Sequence, residues 1–131
     1  MFQISKKTQY GLRALVFLVQ KNIKGVILPT SLKEIAKAEA IPFLFLEKII
    51  LDLKKHKIVK GKRGVGGGYV LAKNPKRISI RNVVQALEKT ITPVNCSLCR
   101  RKRSCLSKNV WEKVEKSINK TLEKIKLSEI K

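Results

Sequence analysis

The sequence predicts a mainly α-helical fold that carries one small β-hairpin. Three observations lead there. Four stretches between residues 5 and 87 hold apolar residues at helical spacing, and Lys60 to Leu71 crowds glycines and cations between two strand-like segments. The last run, Trp111 to Ile125, repeats apolar positions at alternating threes and fours. Together these describe a winged helix-turn-helix domain followed by a long C-terminal dimerisation helix. The expected boundaries are 1–90 for the winged domain, 91–107 for a cysteine-containing loop and 108–131 for the dimerisation helix.

The first helix is expected over Ser5 to Lys21, where Leu12, Leu15, Val16 and Val19 line one face and Gly25 follows as a stop. Ser31-Leu-Lys-Glu34 reads as a capping box: serine oxygen and glutamate carboxylate would each satisfy an amide at the start of a short helix ending near Ala38. Pro42, whose missing N–H costs nothing at a first helical position, should open a third helix. There Leu46, Ile49, Ile50 and Leu53 form an apolar stripe that leaves Phe43, Glu47, Lys48, Lys54 and Lys55 on other faces.

Ile58-Val59 and Gly68 to Leu71 read as two short strands flanking the glycine-rich loop, a hairpin directly after the helix pair. Asn74-Pro75 breaks the chain, and Ser79 can cap a fourth helix with apolar positions Ile80, Val83, Val84 and Leu87. Residues 90–108 look irregular. Beyond them, Trp111, Val114, Ile118, Thr121 and Ile125 form the seam expected of a helix packed along a partner copy, the alternative being a helix folded onto its own domain.

Charge narrows the function. Thirty Lys and Arg against nine Asp and Glu give a net charge of +21, with dense patches at Lys54 to Arg63 and Arg100 to Arg103. Such a surface seeks polyanions. The longest apolar runs, such as Ala14 to Val19, are too short to cross a bilayer, and the basic N-terminal stretch lacks a secretory pattern, so a cytoplasmic protein is expected. The glycine-rich loop is not a nucleotide cradle, because a strand follows it and the phosphate-binding lysine is missing. With no histidine near the thiols and no paired carboxylates, no enzyme is expected either.

Double-stranded DNA is the polyanion this layout suits. Lys60, Lys62 and Arg63 would neutralise phosphates or enter a narrow minor groove, and Gly64, Gly66 and Gly67 would let the backbone lie close to the duplex. The helix starting at Pro42 would enter the major groove. Base discrimination then falls to Phe43, Glu47 and Lys48 with Arg63. Glu47 can accept from cytosine N4 and Phe43 or Phe45 can meet a thymine methyl, though Phe45 is equally suited to completing the core. Lys7, Tyr10 and Ser31 are candidates for further DNA contacts. The competing reading is a basic protein that binds nucleic acid without sequence preference.

Ser5-Lys-Lys-Thr-Gln-Tyr10-Gly-Leu-Arg-Ala14, Leu32-Lys-Glu-Ile-Ala36, Phe45-Leu-Glu-Lys48, Arg63-Gly-Val-Gly-Gly-Gly-Tyr69 and a cysteine loop followed by Trp111 span nearly the whole chain. In these segments the sequence resembles the Rrf-two (Rrf2) family of bacterial winged-helix transcriptional regulators, with its IscR-like, NsrR-like and CymR-like branches. The resemblance implies a homodimer on a partly palindromic operator, crossed C-terminal helices and often a cluster-bearing sensor loop.

Cys96, Cys99 and Cys105 are the candidate metal ligands. Three thiolates supply soft donors, and Arg100, Arg101, Lys102 and Arg103 would favour the thiolate form. An iron–sulfur cluster, 2Fe-2S or 4Fe-4S, can be completed by a non-cysteine ligand, whereas structural zinc wants four protein ligands; zinc and cofactor-free thiols remain the alternatives. Two features depart from the cluster-binding relatives that the resemblance brings in. The first cysteine gap is short, and Lys108 and Gln9 stand where IscR-like and NsrR-like proteins place a histidine and an acidic ligand, so the fourth ligand is unassigned.

Overall fold

Ser5 starts the first helix by accepting the Thr8 N–H on its hydroxyl at 3.3 Å, which answers one of the amides a helix start leaves open. The computed structural model describes residues 3–22, 26–88, 91–92, 94, 99–101 and 103–130. Its helix α1 spans Lys6–Lys21 and closes at Asn22, whose N–H reaches the Val19 carbonyl at 3.1 Å. The expected stop, Gly25, lies outside the described residues.

Helix α2, Leu32–Glu39, keeps only half of the expected capping box. Ser31 Oγ accepts the Glu34 N–H at 3.2 Å, but the Glu34 carboxylate turns to the Lys21 ammonium at 2.6 Å. A cation outcompetes a neutral amide for a carboxylate. The complete box occurs instead before α4, Ile80–Leu87, where Ser79 and Asn82 exchange side-chain and backbone bonds.

Between α2 and helix α3, Phe43–Lys55, the chain turns within a few residues. Ala40 takes a left-handed φ of 51°, so that the Ile41 N–H reaches back to the Ala36 carbonyl at 3.0 Å and Ile41 enters the core. Pro42 is the N-cap residue, one position earlier than expected. Its extended ψ of 128° still lets its carbonyl accept the Leu46 N–H at 2.9 Å.

Strands β1, Val59–Lys62, and β2, Gly68–Leu71, pair antiparallel in the register Val59↔Leu71 to Lys62↔Gly68. β1 reaches further toward the tip than its apolar residues indicated, because the ladder continues through Lys60 and Lys62. Thr30 adds to the outer edge of β2 by exchanging two backbone bonds with Tyr69, at 2.8 and 3.0 Å. That pairing ties the wing to the start of α2.

The core is built around α3. Leu46, Ile49, Ile50 and Leu53 are all at most 1% exposed, as the apolar stripe requires, and they meet Leu15 of α1, Ile35 of α2 and Val83 of α4. After the winged domain, helix α5 runs over Lys108–Lys124 and packs against α4 without fully burying any residue. Ile125 is not part of it. The helix ends at Lys124, and Ile125 is extended, its carbonyl accepting the Ile80 N–H at 2.9 Å. The following Leu127 donates its N–H to Ile78 at 2.8 Å and is completely buried, so the C-terminal segment completes the core of the winged domain.

Glu88, just past α4, binds the start of α1: its carboxylate accepts the Ser5 N–H at 2.8 Å and the Thr8 hydroxyl at 2.9 Å. Burial alone would raise its pKa, but the hydrogen bonds from Ser5 and Thr8, with the charge of Lys7, outweigh it and hold the carboxyl below its ordinary 4.5. A depressed folded-state pKa contributes stability that is present above the unfolded value and is lost as pH falls through the folded one.

Leu127→Ala should destabilise the fold by about 2–5 kcal/mol in urea unfolding, as for other fully buried leucines. A change within the scatter expected of surface substitutions would mean the C-terminal segment is not docked. Glu88→Gln keeps an acceptor oxygen and removes the titration. It should cost less than about 1 kcal/mol at neutral pH, with stability falling less steeply than in wild type as pH falls through the carboxylate range.

Candidate nucleic-acid interface and cysteine segment

With one face of α3 in the core, its opposite face carries Leu44, Lys48, Leu51 and Lys55 at i, i+4, i+7 and i+11, all exposed. Leu44, 73% exposed in the first turn, was not among the expected contacts; its signal was its place opposite the buried stripe. Phe43 is also exposed, at 39%, and Glu47 is half-buried. Phe45 is half-buried too, its ring edge-on to Tyr10 with centroids 5.6 Å apart, which makes it a packing residue that steadies α3 on α1. Arg13 stacks over the other partner of that pair, its guanidinium carbon 5.4 Å from the Tyr10 centroid.

Lys7 is held by Asp52 in an ion pair between α1 and α3. The Lys7 hydrogen bond keeps the Asp52 carboxyl below its ordinary value despite some burial. Ser31 serves as the α2 cap on an exposed corner.

Lys60, Lys62 and Arg63 are all exposed on the hairpin. Lys62 and Arg63, with Gly61, Gly68 and Tyr69, form one wall of a cleft of about 310 Å³ whose other wall is Lys54 from the last turn of α3. Three cations therefore face one groove between helix and wing. Lys54 was not among the expected contacts, although its spacing of eleven residues from Phe43 puts both near one helix line.

The wing glycines have reasons internal to the fold. Gly64 and Gly66 adopt φ of 105° and 74°, and the Gly67 N–H closes the turn on the Gly64 carbonyl at 2.9 Å. A Cβ at Gly67 would lie 2.4 Å from the Lys62 carbonyl oxygen, and one at Gly68 would lie 2.4 Å from that of Thr30. The tip residue Val65 is fully exposed.

Of the cysteines, Cys96 lies outside the described residues, Cys99 is exposed and Cys105 is partly exposed. Cys105 Sγ is 2.9 Å from the Ser107 hydroxyl, and this contact, with the Lys108 N–H, holds the thiol pKa below its ordinary value. Among the described residues no three His, Cys, Asp or Glu side chains converge on a metal-sized site. On α5, Trp111 is 37% exposed, Val114 and Ile118 are half-buried and Thr121 is exposed, leaving an apolar edge in solvent. Among the described residues no helix is long and apolar enough to cross a membrane.

Comparison with known proteins agrees with this architecture. The profile of the Rrf2 family, described as an iron-dependent transcriptional regulator, matches residues 4–131. Protein rrf2 of Nitratidesulfovibrio vulgaris is 30% identical over 98% of this chain and 86% of its own length. The solved structure of T. potens IscR superposes with a TM-score of 0.78 at 34% identity, covering 96% of this chain and 83% of that one. That of CymR, the global cysteine regulator of B. subtilis, gives 0.80 at 29% identity, covering 97% and 94%.

The two kinds of wing glycine should respond differently to alanine. Gly66→Ala, facing open space, should cost about 1–2 kcal/mol through its left-handed backbone alone. Gly68→Ala should cost more, because the Thr30 backbone must retreat from the new Cβ, and thermal unfolding of the two variants measures the difference. Equal losses would mean the Thr30 pairing is not rigid.

Proposed function

The chain belongs to the Rrf2 family of transcriptional regulators, and from that premise we propose that it binds a partly palindromic operator as a homodimer and reads a chemical signal through Cys96, Cys99 and Cys105. As a member of this family it is a DNA-binding winged-helix protein and not an enzyme. The observation that carries the DNA reading is the cleft between α3 and the wing, where Lys54, Lys62 and Arg63 face one groove. A phosphate strand in that groove leaves the exposed first turn of α3 in the major groove, where Phe43, Leu44, Glu47 and Lys48 meet base edges. Lys60, Gly64, Gly66 and Gly67 carry the wing along the adjacent backbone, while Tyr10, Ser31 and Lys7 flank the helix from α1 and α2.

Dimerisation is assigned to the exposed edge of α5. Trp111, Val114, Ile118 and Thr121 supply the seam, with Ile125 at its end where the chain turns back to α4. An apolar edge of this kind, on a helix with no fully buried residue, gains most by pairing with a second copy.

The cysteine segment leads directly into α5, since Cys105 lies three residues before its first residue. Its donor set fits an iron–sulfur cluster: the thiols are soft ligands, and the Ser107 hydroxyl already favours the thiolate at Cys105. When bound, such a cluster, 2Fe-2S or 4Fe-4S, supplies redox-responsive bonds across residues 96–105. Cys99 and Cys105 would hold it on either side of Arg100 and Arg101, and a change in their bonding would alter how the segment enters α5. The depressed Cys105 pKa also favours a second reading, a cofactor-free thiol regulator.

Protein purified without oxygen should contain iron and acid-labile sulfide, run as a dimer and lose its visible absorption in the Cys96→Ala, Cys99→Ala, Cys105→Ala variant. Absence of iron and sulfide from the wild type would reject the cluster and leave zinc or free thiols, which metal analysis and thiol titration separate. A DNA response identical in wild type and the triple variant would reject sensing altogether. Lys62→Gln with Arg63→Gln should lower the salt slope of duplex binding by about 2, and an unchanged slope would remove the cleft from the interface.

A further inference from the structure

A second basic cavity opens at the base of the hairpin, away from the cleft facing the proposed duplex. It has a volume of about 100 Å³ and an apolar floor of Ile58 and Ile78. Its rim is set by His56 at the end of α3, Lys73 after β2, Arg77 in the 3-10 turn Pro75–Arg77, and Asn82 and Gln85 of α4. Among the described residues no carboxylate lines it. At a share of about 30 Å³ per water, the space holds three waters or one small tetrahedral ion.

The hydrogen bonds around the rim fix what each group can offer. Asn82 Oδ1 is occupied by the Ser79 N–H at 3.0 Å and the Ser79 hydroxyl at 2.9 Å, so the free end of its amide is the donor NH₂. His56 Nδ1 lies 2.9 Å from the Asp52 carbonyl, which can only accept; Nδ1 therefore carries a proton and Nε2 is left for other partners. Among the described residues, no hydrogen bond or ion pair occupies the side chains of Lys73, Arg77 or Gln85. Among the described residues the cavity is thus rich in donors, carries two cations and has no carboxylate to compensate them.

We propose that this cavity binds a tetrahedral oxyanion, a phosphate or the phosphate group of a small ester. Arg77 and Lys73 supply charge-assisted bonds, the Asn82 and Gln85 amides complete the cradle, and His56 Nε2 accepts a hydrogen bond from the hydroxyl of a hydrogen phosphate. The ligand is a free anion and not a strand of the duplex. The cavity lies beside the Val59↔Leu71 end of the hairpin, and the remaining ladder of about 3.3 Å per residue sets it about 10 Å from the basic tip. An anion seated here would join the end of α3 to α4, and through α4 to α5.

Inorganic phosphate, titrated by calorimetry into the full chain with ionic strength held constant by chloride, tests the site. One saturable site per chain is expected, weakened about tenfold or more in the double variant Lys73→Gln, Arg77→Gln. The control Lys33→Gln, Lys37→Gln removes the same charge from exposed positions of α2 and should retain wild-type affinity. Absence of saturable binding, or equal losses in both double variants, would overturn the site in favour of diffuse attraction to a cationic surface. A mixed-sequence duplex identifies the source of the anion. The Lys73→Gln, Arg77→Gln variant should keep the wild-type salt slope, and a fall of about 2 would assign the cavity to the DNA backbone and overturn the free-ligand assignment.

Discussion

Burial of one face of α3 is the constraint on which the rest of the molecule depends. Leu46, Ile49, Ile50 and Leu53 are removed from water together, each contributing about 1.5–3 kcal/mol relative to exposure. A helix held along one side cannot roll without exposing that stripe. Its other side is therefore presented at a fixed angle, and Leu44, Lys48, Leu51 and Lys55 stand outward for the same reason that the inner four stand inward. The wing inherits this geometry, because β1 begins only a few residues after α3 and Thr30 clamps β2 to the start of α2.

The few carboxylates shape the distribution of the many cations. Asp52, Glu39, Glu34 and Glu123 each take a basic residue from another element, linking α1 to α3, α1 to the end of α2, α1 to the start of α2, and α4 to α5. Such partly exposed pairs contribute little stability individually. Their effect is on position. They hold the cations nearest the helix junctions against neighbouring elements, while Lys54, Lys62 and Arg63 at one groove and Lys73 and Arg77 at another have no carboxylate against them among the described residues. On a chain of net charge +21, two concave places thus hold cations without a carboxylate partner.

Parts of the candidate interface were legible in the sequence and parts were not. Phe43, Lys48 and the wing cations were readable because helical period and a hairpin flanked by apolar pairs are local signals. The wing glycines were legible as a turn but not in their cause: the contacts that exclude a Cβ at Gly68 come from Thr30, far away in the chain. Lys7 looks like a free surface group, and Phe45 is left open between core and interface, until α1 and α3 are packed together, when one meets Asp52 and the other meets Tyr10. Cys105 shows a similar division. Its basic neighbours foretell a favoured thiolate, but the first cause is the hydrogen bond with Ser107 and the charge of Arg101 adds least, while Cys96 lies outside the described residues.

By itself the sequence determined the order and type of the elements, since capping residues, helical stripes and the glycine hairpin act over a few residues. It also determined the family, whose profile runs from residue 4 to residue 131. Only the tertiary structure decided how the ends of the chain are joined. Ile125 leaves the helical seam, Leu127 enters the core beside Ile78, and Glu88 fastens the start of α1. No periodicity reports such contacts, because a backbone bond or a buried leucine gains its partner from residues distant in sequence, and only folding brings the two within reach.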